Sequence, residues 1–486
     1  MLGSGARSAR DPDLPKVMIF HLTAAIAAFT TPPPSRCRDL TMCATRLAAK
    51  ELGDWVESNG GSSANVLCGP TQYGLGLLAT ENMRAGDVAV SLPEECQLGA
   101  ALPADGDALR SLHDSVPPEF WSARTGLLLL AERSKGDAFH FESYVRTLPA
   151  TYTIPLFWPP EAIKALKYPT TQQNLLKQAK FVQSFGSELA SSADACFSGR
   201  AVDADALGWA VAASSSRAFK VRDRRVLCPL IDLGNHAPEG IANCAVKGTL
   251  GGRVELVAQR DITAGEEVTF CYGNLSNDDF LLDYGFLPES NPHDHVSLAW
   301  ADGAILSTAC TTAKVDVQLE EGWRRAALRT ALPPGLAELK ITRSGVDENA
   351  LTACRIAIAR DEAALRKADG GRKPLAAAGG EIRALRIAAA MVAIALTGLP
   401  EREEEAEGAS ETAGAGLAMA KQFLEEKRRL CSGALERLGE RIKALQSGEA
   451  KAELRGVTKA KKVSGVRKTS ARKGVKRPKA TGGFGK

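Results

Sequence analysis

The side chains with the greatest potential for chemistry lie in one stretch of the chain, between Ser216 and Asp294. They are phenols, an amide, an imidazole, a carboxylate and a guanidinium, namely Tyr272, Tyr284, Asn235, His236, Asp232 and Arg217. Phenol oxygens can orient an amine, and a carboxylate can receive a cation. No metal is expected, because the 11 cysteines form no CxxC pair and His293 and His295 have no further ligand nearby in the sequence. These residue types therefore predict a site that orients an amine substrate and interacts with its positive charge.

Two segments far apart in the sequence share one pattern and are expected to position these groups. Leu77–Val90 and Leu256–Thr269 match in the placing of an alanine, an apolar residue and an Ala-Gly-acid turn. Each is predicted to form a strand, a glycine-containing turn and an alternating strand. Tyr272 then lies at the end of the last of these strands.

The residues between and after these β-units have helical patterns. Within Leu102–Phe219, helix formers separated by Pro and Gly predict helices over Thr125–Glu132, Glu161–Lys167, Gln172–Phe181 and Ala206–Ala213. Beyond Val296, helical periodicity predicts helices over Trp323–Leu332, Asn349–Lys367, Glu381–Leu396 and Leu417–Gln446. The last carries one apolar stripe, formed by Phe423, Leu430, Ala434, Leu438, Ile442 and Leu445. A helical insert in a β framework, followed by a helical domain, is the simplest arrangement.

The net charge is unevenly distributed over the 486 residues. The chain as a whole carries +4, but Lys451–Lys486 contains 13 basic residues and one acid, so the residues before it sum to −8. This tail has few apolar side chains and is predicted to be disordered, either as an arm that contacts polyanions or as a solvated tail. Nucleic-acid binding is therefore not predicted for the body of the protein.

The N-terminal residues resemble a cleavable targeting segment. Val17–Phe29 is a short apolar run, which a proline cluster and the acid-poor stretch Ser35–Lys50 follow. The order is similar to that of plastid presequences in algae with complex plastids, which predicts a plastid protein. Cytoplasm or nucleus is the alternative. No apolar run reaches the length needed to span a bilayer.

Five short motifs occur in one order along the chain. They are Gly74-Leu75-Gly76, Ser216-Arg217, Asp232-Leu233-Gly234-Asn235-His236, Tyr272-Gly273 and Leu281-Leu282-Asp283-Tyr284-Gly285-Phe286. This order resembles the SET-domain protein methyltransferases, and within them the group of the Rubisco large-subunit lysine methyltransferase and the actin-histidine methyltransferase. Asn291-Pro292-His293-Asp294 and Glu425–Leu430 are similar to that group too. The resemblance covers residues 51–446.

The resemblance implies an α+β fold with a SET-domain β framework, a helical insert and an all-α C-terminal substrate-binding domain. The implied boundaries are a targeting-like or disordered N-terminus at 1–50, the SET domain at 51–295 with its insert at about 102–219, the helical domain at 296–447 and the basic tail at 448–486. The implied cofactor is S-adenosylmethionine, without a metal. The implied partner is a non-histone protein, because the cysteine-rich segment common in histone-directed relatives is missing.

The resemblance also assigns roles to individual residues. Tyr272 is implied as the catalytic tyrosine, and Tyr284 and Asp232 join it at the substrate, where Asp232 could receive the incoming cation. The cofactor is expected to contact Tyr73, Gly74, Leu75, Arg217, Asn235 and His236. Three departures from the family are Tyr73, where an acid is common, Val221, where the Rubisco-type enzymes have a substrate-contacting arginine and this chain has Arg222 one residue later, and the lack of a tyrosine in Ala237–Lys247.

Together these observations predict a protein-lysine N-methyltransferase that uses S-adenosylmethionine. A protein-histidine N-methyltransferase is the enzymatic alternative, because the two activities share one framework. A SET-fold binding protein without turnover is the alternative from another class.

Overall fold

The computed structural model describes residues 48–136, 139–192, 194–400 and 411–448. The predicted targeting-like segment up to residue 47 and the basic tail from residue 449 onward lie outside the described residues. Among the described residues, no helix combines the length and the apolar character that a membrane span requires.

The first half of the structure is built on short strands. In chain order they are β1 Val66–Thr71, β2 Gly74–Ala79, β3 Val88–Leu92, β4 Ala218–Val221, β5 Arg224–Leu227, β6 Asn235–His236, β7 Cys244–Gly248, β8 Val254–Ala258 and β9 Glu267–Phe270. Strands β4 and β5 form a separate hairpin, and the other seven form one sheet in the order β1-β2-β9-β7-β8-β3, with β6 beside β9. Strand β9 runs parallel to β6 and β7. The late strand β9 therefore lies in the middle of the sheet.

The two repeated sequence segments form the predicted strand-turn-strand units and pair with each other. Leu78 of β2 lies opposite Glu267 of β9, and Val88 of β3 lies opposite Val257 of β8. The turns exchange equivalent hydrogen bonds, from Gly86 N to the Ala258 carbonyl at 2.9 Å and from Gly265 N to the Ala79 carbonyl at 2.8 Å. Both glycines have positive φ, 97° and 82°, which explains the glycine in each turn. The sequence repeat is thus a structural repeat.

Helices fill the long connection between β3 and β4, as predicted. The main helices of this connection are Ala108–Ser115, Trp121–Ser134, Pro160–Ala165, Pro169–Ser192 and Ala204–Arg217, and one further helix, at residues 48–58, precedes β1. Trp121–Ser134 packs closely on Ala204–Arg217, where a Cβ on Gly126 would lie 3.1 Å from the backbone of Ala210. The last of these helices ends at Arg217 and leads directly into the β4–β5 hairpin.

The C-terminal region is helical, and it also contains a small sheet. Its helices are Ala304–Thr312, Gly322–Ala331, Glu348–Ile358, Glu362–Lys367, Ala378–Thr397 and Glu411–Ser447. The strands β10 His295–Ala299, β11 Glu338–Thr342 and β12 Gly345–Val346 pair antiparallel. The predicted C-terminal helical domain is confirmed, and the small sheet is an addition to it that was not predicted, because strands of two to five residues contain too little periodicity to be recognised.

One predicted C-terminal helix is divided in two. The expected helix Asn349–Lys367 breaks after Ile358, and Asp361 caps a new helix by accepting a hydrogen bond from Ala364 N at 2.7 Å. The last helix begins at Glu411, six residues before the predicted start. Its predicted stripe is confirmed as core, since Phe423, Ala434 and Leu438 are buried.

Two hydrophobic cores stabilise the described chain. One combines the seven-stranded sheet with most of the helical insert. The other holds the C-terminal helices together with Trp158, Ala162 and Tyr168 of the insert and Leu281, which follows β9. The C-terminal region is therefore packed on the segment that follows Tyr272.

Candidate active site

Tyr272 lies two residues beyond the end of β9 and is held at both ends. Its hydroxyl donates a hydrogen bond to the Gly234 carbonyl at 2.9 Å, and its backbone N–H donates to His236 Nδ1 at 3.2 Å. Burial raises the pKa of the phenol to about 12, so the group is neutral at physiological pH. The sequence-predicted catalytic tyrosine is therefore a fixed, neutral phenol.

Tyr284 lies against Tyr272, as the sequence predicted for two residues of one site. The ring centroids are 5.0 Å apart with an interplanar angle of 29°. Tyr284 ends a π-helical turn, Phe280–Tyr284, and Gly285 closes this turn with φ 72°. Burial also raises the pKa of the Tyr284 phenol. The turn thus brings a second neutral phenol to the first.

His236 belongs to the same aromatic cluster. Its ring centroid lies 5.2 Å from that of Tyr272 and 4.9 Å from that of Phe280. Burial lowers the pKa of the imidazole to about 4, so it is neutral at physiological pH and can accept the hydrogen bond from Tyr272 N. The histidine orients the strand end rather than providing a charge.

Asn235 joins the predicted Gly-Leu-Gly motif to the centre of the sheet. Its side-chain amide donates to Glu267 Oε1 at 2.8 Å, to Thr71 Oγ1 at 3.1 Å and to the Leu75 carbonyl at 3.3 Å. A Cβ on Gly76 would lie 2.6 Å from the Asn235 amide nitrogen, so a larger residue there would displace this amide. The structure therefore brings Gly74, Leu75, Asn235 and His236 together, as predicted.

Tyr73 is placed differently from the other predicted cofactor residues. It lies in the turn between β1 and β2, and the residue is 71% exposed. It does not line the cavity described below. Its exposed position gives no support to the predicted contact with a cofactor, because hairpin turns point side chains into solvent.

Arg217 and Asp232 form a buried pair. Arg217 Nη1 lies 3.4 Å from Asp232 Oδ2 and donates to the Asp232 carbonyl at 3.0 Å. The Arg217 side chain is 17% exposed and the Asp232 side chain is 0% exposed. Burial raises the pKa of the Asp232 carboxyl, against the opposing effect of Arg217. Leu230, with φ 68°, shapes the tight turn that directs Asp232 inward.

The prediction that Asp232 receives the incoming cation is not supported by this geometry. Its carboxylate has no exposed surface, and its Oδ2 already accepts a hydrogen bond from Tyr144 at 2.7 Å. Asp232 therefore holds Arg217 in place. Sequence reasoning missed Tyr144 and the neighbouring Tyr152, because both come from the helical insert and no local motif connects them with Asp232.

Arg217, Asp232, Tyr272 and Tyr284 line a cavity of about 460 Å³, and Gly74, Leu75, Asn235 and His236 lie outside its lining. Its inner wall includes Arg217, Phe270, Tyr272 and Tyr284, and residues of the β4–β5 hairpin and Trp121 form other parts of its lining. Asp283 lines it as well. Burial, followed by the negative charge of Asp279, raises the pKa of Asp283 to about 7. Its position beside Tyr284 in the same motif was the signal that could have identified it.

The site can position a nitrogen nucleophile without a metal. Two neutral phenols and one carboxyl group that titrates near pH 7 line the same cavity. Among the residues that the structure describes, no group of three or more His, Cys, Asp and Glu side chains is arranged for a metal ion.

Comparison with known proteins agrees with this architecture. Residues 74–273 match the SET domain family. The chain is 28% identical over 270 residues to mouse SET domain-containing protein 4, a match that covers 50% of this chain and 59% of that protein. It is 26% identical over 312 residues to the actin-histidine N-methyltransferase of Gallus gallus, which covers 60% and 51% of the two chains. The matches thus span about half the length of these relatives.

Solved structures confirm the fold. The SET domain of LSMT bound to lysine and AdoHcy superposes with a TM-score of 0.59 and 19% identity, over 82% of this chain and 92% of that one. Rubisco LSMT bound to AdoMet gives a TM-score of 0.59 and 18% identity, over 85% and 97% of the two chains. The superposition extends well past the SET domain and includes the C-terminal helical region.

Proposed function

We propose that this chain, whose residues 74–273 form a SET domain, is a protein N-methyltransferase that transfers a methyl group from S-adenosylmethionine to a lysine of a non-histone protein. The observation that carries the proposal is the pair of neutral phenols at the cavity wall, with the Tyr272 hydroxyl bound to the Gly234 carbonyl and the Tyr272 ring stacked on Tyr284.

Arg217 at the cavity, and the backbone beside Asn235 outside the cavity lining, fit the proposed cofactor. The partly exposed guanidinium of Arg217 is a partner for a carboxylate, and its buried Nε has no hydrogen-bond partner among the described residues. The backbone of Gly74 and Leu75 lies beside Asn235, where Gly76 leaves no Cβ in the way. When bound, S-adenosylmethionine supplies a methyl group on a sulfonium, which a nitrogen lone pair can attack.

The two phenols act by positioning. Because Tyr272 donates its proton to Gly234, its oxygen remains free to accept a hydrogen bond from an amine N–H or a weak contact from a polarised C–H. The raised pKa values of both phenols keep them protonated at neutral pH, so neither serves as a base. Fixed, neutral oxygens orient an amine without holding it as an ion pair, and correct orientation is a large part of catalysis in such a transfer.

The proton of the target amine needs a separate acceptor. A lysine is protonated at neutral pH, since its ordinary pKa is about 10.4. Asp283 is the carboxyl group of the cavity lining that remains available, because Asp232 is paired with Arg217 and Tyr144. With a pKa of about 7, Asp283 can take up a proton at physiological pH and release it to solvent. We assign it the role of proton acceptor.

Lysine is preferred over histidine because of the cavity walls. Phe219, Phe270, Tyr272 and Tyr284 supply aromatic faces and phenol oxygens, which suit an aliphatic stem with a cationic head. The similarity to actin-histidine N-methyltransferases keeps histidine as the second candidate.

The proposal is tested by labelling. The full chain is incubated with radiolabelled S-adenosylmethionine and cell or plastid extract, beside Tyr272→Phe and the control Ser191→Ala, which removes an exposed hydroxyl from the helix Pro169–Ser192. The wild type and the control should label a discrete protein, and Tyr272→Phe should lose most of the label. Equal labelling by all three would contradict the role of Tyr272. No labelling and no binding of the cofactor would instead support the binding-protein alternative.

A further inference from the structure

The β4–β5 hairpin forms part of the rim of the cavity. Phe219 and Lys220 of β4 and Arg225 of β5 line it, together with Trp121 of the helical insert. Lys220 and Arg225 are exposed, whereas Phe219 is half-buried. The hairpin thus connects the inner wall of the cavity with the surface that a target polypeptide must approach.

This hairpin is strongly basic. Within residues 218–227 it carries four exposed cations, Lys220, Arg222, Arg224 and Arg225, and one acid, Asp223. The residues before the basic tail sum to −8, so the hairpin differs in sign from the body on which it lies. Such a concentration of like charge beside a cavity attracts an anionic segment and repels a cationic one.

Neutral groups, rather than carboxylates, hold the three arginines. Arg222 Nη2 donates to the carbonyls of Thr249 at 3.3 Å and Leu250 at 2.8 Å, and Arg224 donates to the carbonyl of Ala100. The Arg225 guanidinium lies 4.3 Å from the centre of the Trp121 ring. Across the described part of the chain, no ion pair within 4.0 Å neutralises any of the four cations. These contacts orient the cations without an ion pair, although Arg225 acts electrostatically on Asp283 in the cavity and opposes the rise of its pKa.

The interior of the cavity, unlike the hairpin, favours a positively charged group. Asp283 and the phenols of Tyr272 and Tyr284 favour the cationic head of a lysine. A target in which a lysine is flanked by acids would satisfy both regions at once, with the lysine inside and its neighbours at the rim. A lysine flanked by other basic residues would meet repulsion at the hairpin.

We propose that the β4–β5 hairpin selects targets by their charge, and that the methylated nitrogen belongs to a residue with Asp or Glu close to it in sequence. This inference rests on the proposed methyltransferase function. Lys220 and Arg225, at the cavity lining, are the residues expected to contact those acids directly. Arg222 and Arg224 add to the field from the hairpin's turn and second strand.

The test uses a peptide library with a central lysine and three randomised residues on each side. The full chain methylates the library with labelled S-adenosylmethionine, and the methylated pool is sequenced. The wild type should enrich Asp and Glu at the flanking positions. The double variant Lys220→Glu/Arg225→Glu should lose that enrichment and favour Lys and Arg, with a fall of roughly tenfold in kcat/KM for an acidic peptide.

The matched control is Arg329→Glu/Lys421→Glu, which reverses two exposed charges that do not line the cavity. It should keep the preference of the wild type. Unchanged flanking preference in the hairpin variant would overturn the inference and leave the methyltransferase function intact. If only whole proteins in extract are methylated, the methylated sites are mapped by mass spectrometry, and Asp and Glu should again be enriched beside them. If no peptide and no protein is methylated, both the hairpin inference and the proposed methyltransferase function are overturned.

Discussion

Lys427 of the last helix donates a hydrogen bond to Asp294 Oδ1 at 2.7 Å, with its side chain completely buried. It also pairs with Asp278 and donates to the His295 carbonyl at 2.6 Å. Asp278 lies six residues after Tyr272, in the short helix Asn277–Asp279. The lysine therefore connects the C-terminal helix with the segment that carries the two site tyrosines.

Replacement of this lysine should destabilise the fold. Lys427→Met leaves the carboxylates of Asp278 and Asp294 without their cation, which should lower the free energy of unfolding by about 3–5 kcal/mol. Lys421→Met, on an exposed position of the same helix, should change it by less than about 0.5 kcal/mol. Denaturant unfolding measures both. Adding Asp294→Asn to Lys427→Met should recover part of the loss, and no recovery would contradict the pairing.

Gly76 is expected to control cofactor binding. Gly76→Ala places a methyl group within 2.9 Å of the Asn235 amide, Thr71 and Glu267, so the amide must move away from the Leu75 carbonyl. Binding of S-adenosylmethionine, measured by calorimetry, should weaken at least tenfold. Gly379→Ala, where no atom lies within 4 Å, should bind as the wild type does. Equal affinities for all three proteins would remove Asn235 and its neighbours from the cofactor site.

Asp283 makes the reaction rate depend on pH near neutrality. Below about pH 7 its carboxyl is protonated and cannot accept the proton of the amine, so kcat should fall as the pH decreases through that value. Asp283→Asn should be slower at pH 8 and should lose this step in the profile. The measurement is kcat from pH 5 to 9 for both proteins. If a step near pH 7 persists in Asp283→Asn, another group accepts the proton of the target amine.

The pH dependence of protein stability tests the raised pKa of Asp283 independently. The pKa of Asp283 is raised on folding, so its contribution to stability is full below its unfolded value of 3.8 and is lost as the pH rises to about 7. Asp283→Asn removes a buried carboxylate that is charged at pH 8. The variant should therefore gain stability relative to the wild type between pH 5 and pH 8. Thermal unfolding at those two values measures the difference, and the same difference at both would contradict the raised pKa.

The sequence predicted those parts of the fold that depend on local patterns. The paired β-units could be recognised because Gly86 and Gly265 are required by the same turn, and the last helix because Phe423, Ala434 and Leu438 repeat at helical intervals. The strands β10 to β12 could not, since segments of two to five residues contain too little periodicity.

The site was predictable where its residues are close in sequence or belong to a motif. Tyr272, Tyr284, Asn235 and His236 come together as expected. The interaction of Tyr144 with Asp232 joins residues 88 positions apart, and only the packing of the helical insert brings them within 2.7 Å. For the same reason the sequence could not show that Asp232 is buried and paired with Arg217, because that burial depends on tertiary contacts that no spacing reveals.

The most direct test of the central claim is the identity of the nitrogen that receives the methyl group. A protein labelled by the full chain in extract is digested and sequenced by tandem mass spectrometry, with Tyr272→Phe treated in parallel. We predict a mass increase of one or more methyl groups on a lysine side chain, present with the wild type and largely absent with Tyr272→Phe. Methylation of a histidine would contradict the lysine assignment, and a methyl signal of equal strength in both samples would contradict catalysis at Tyr272.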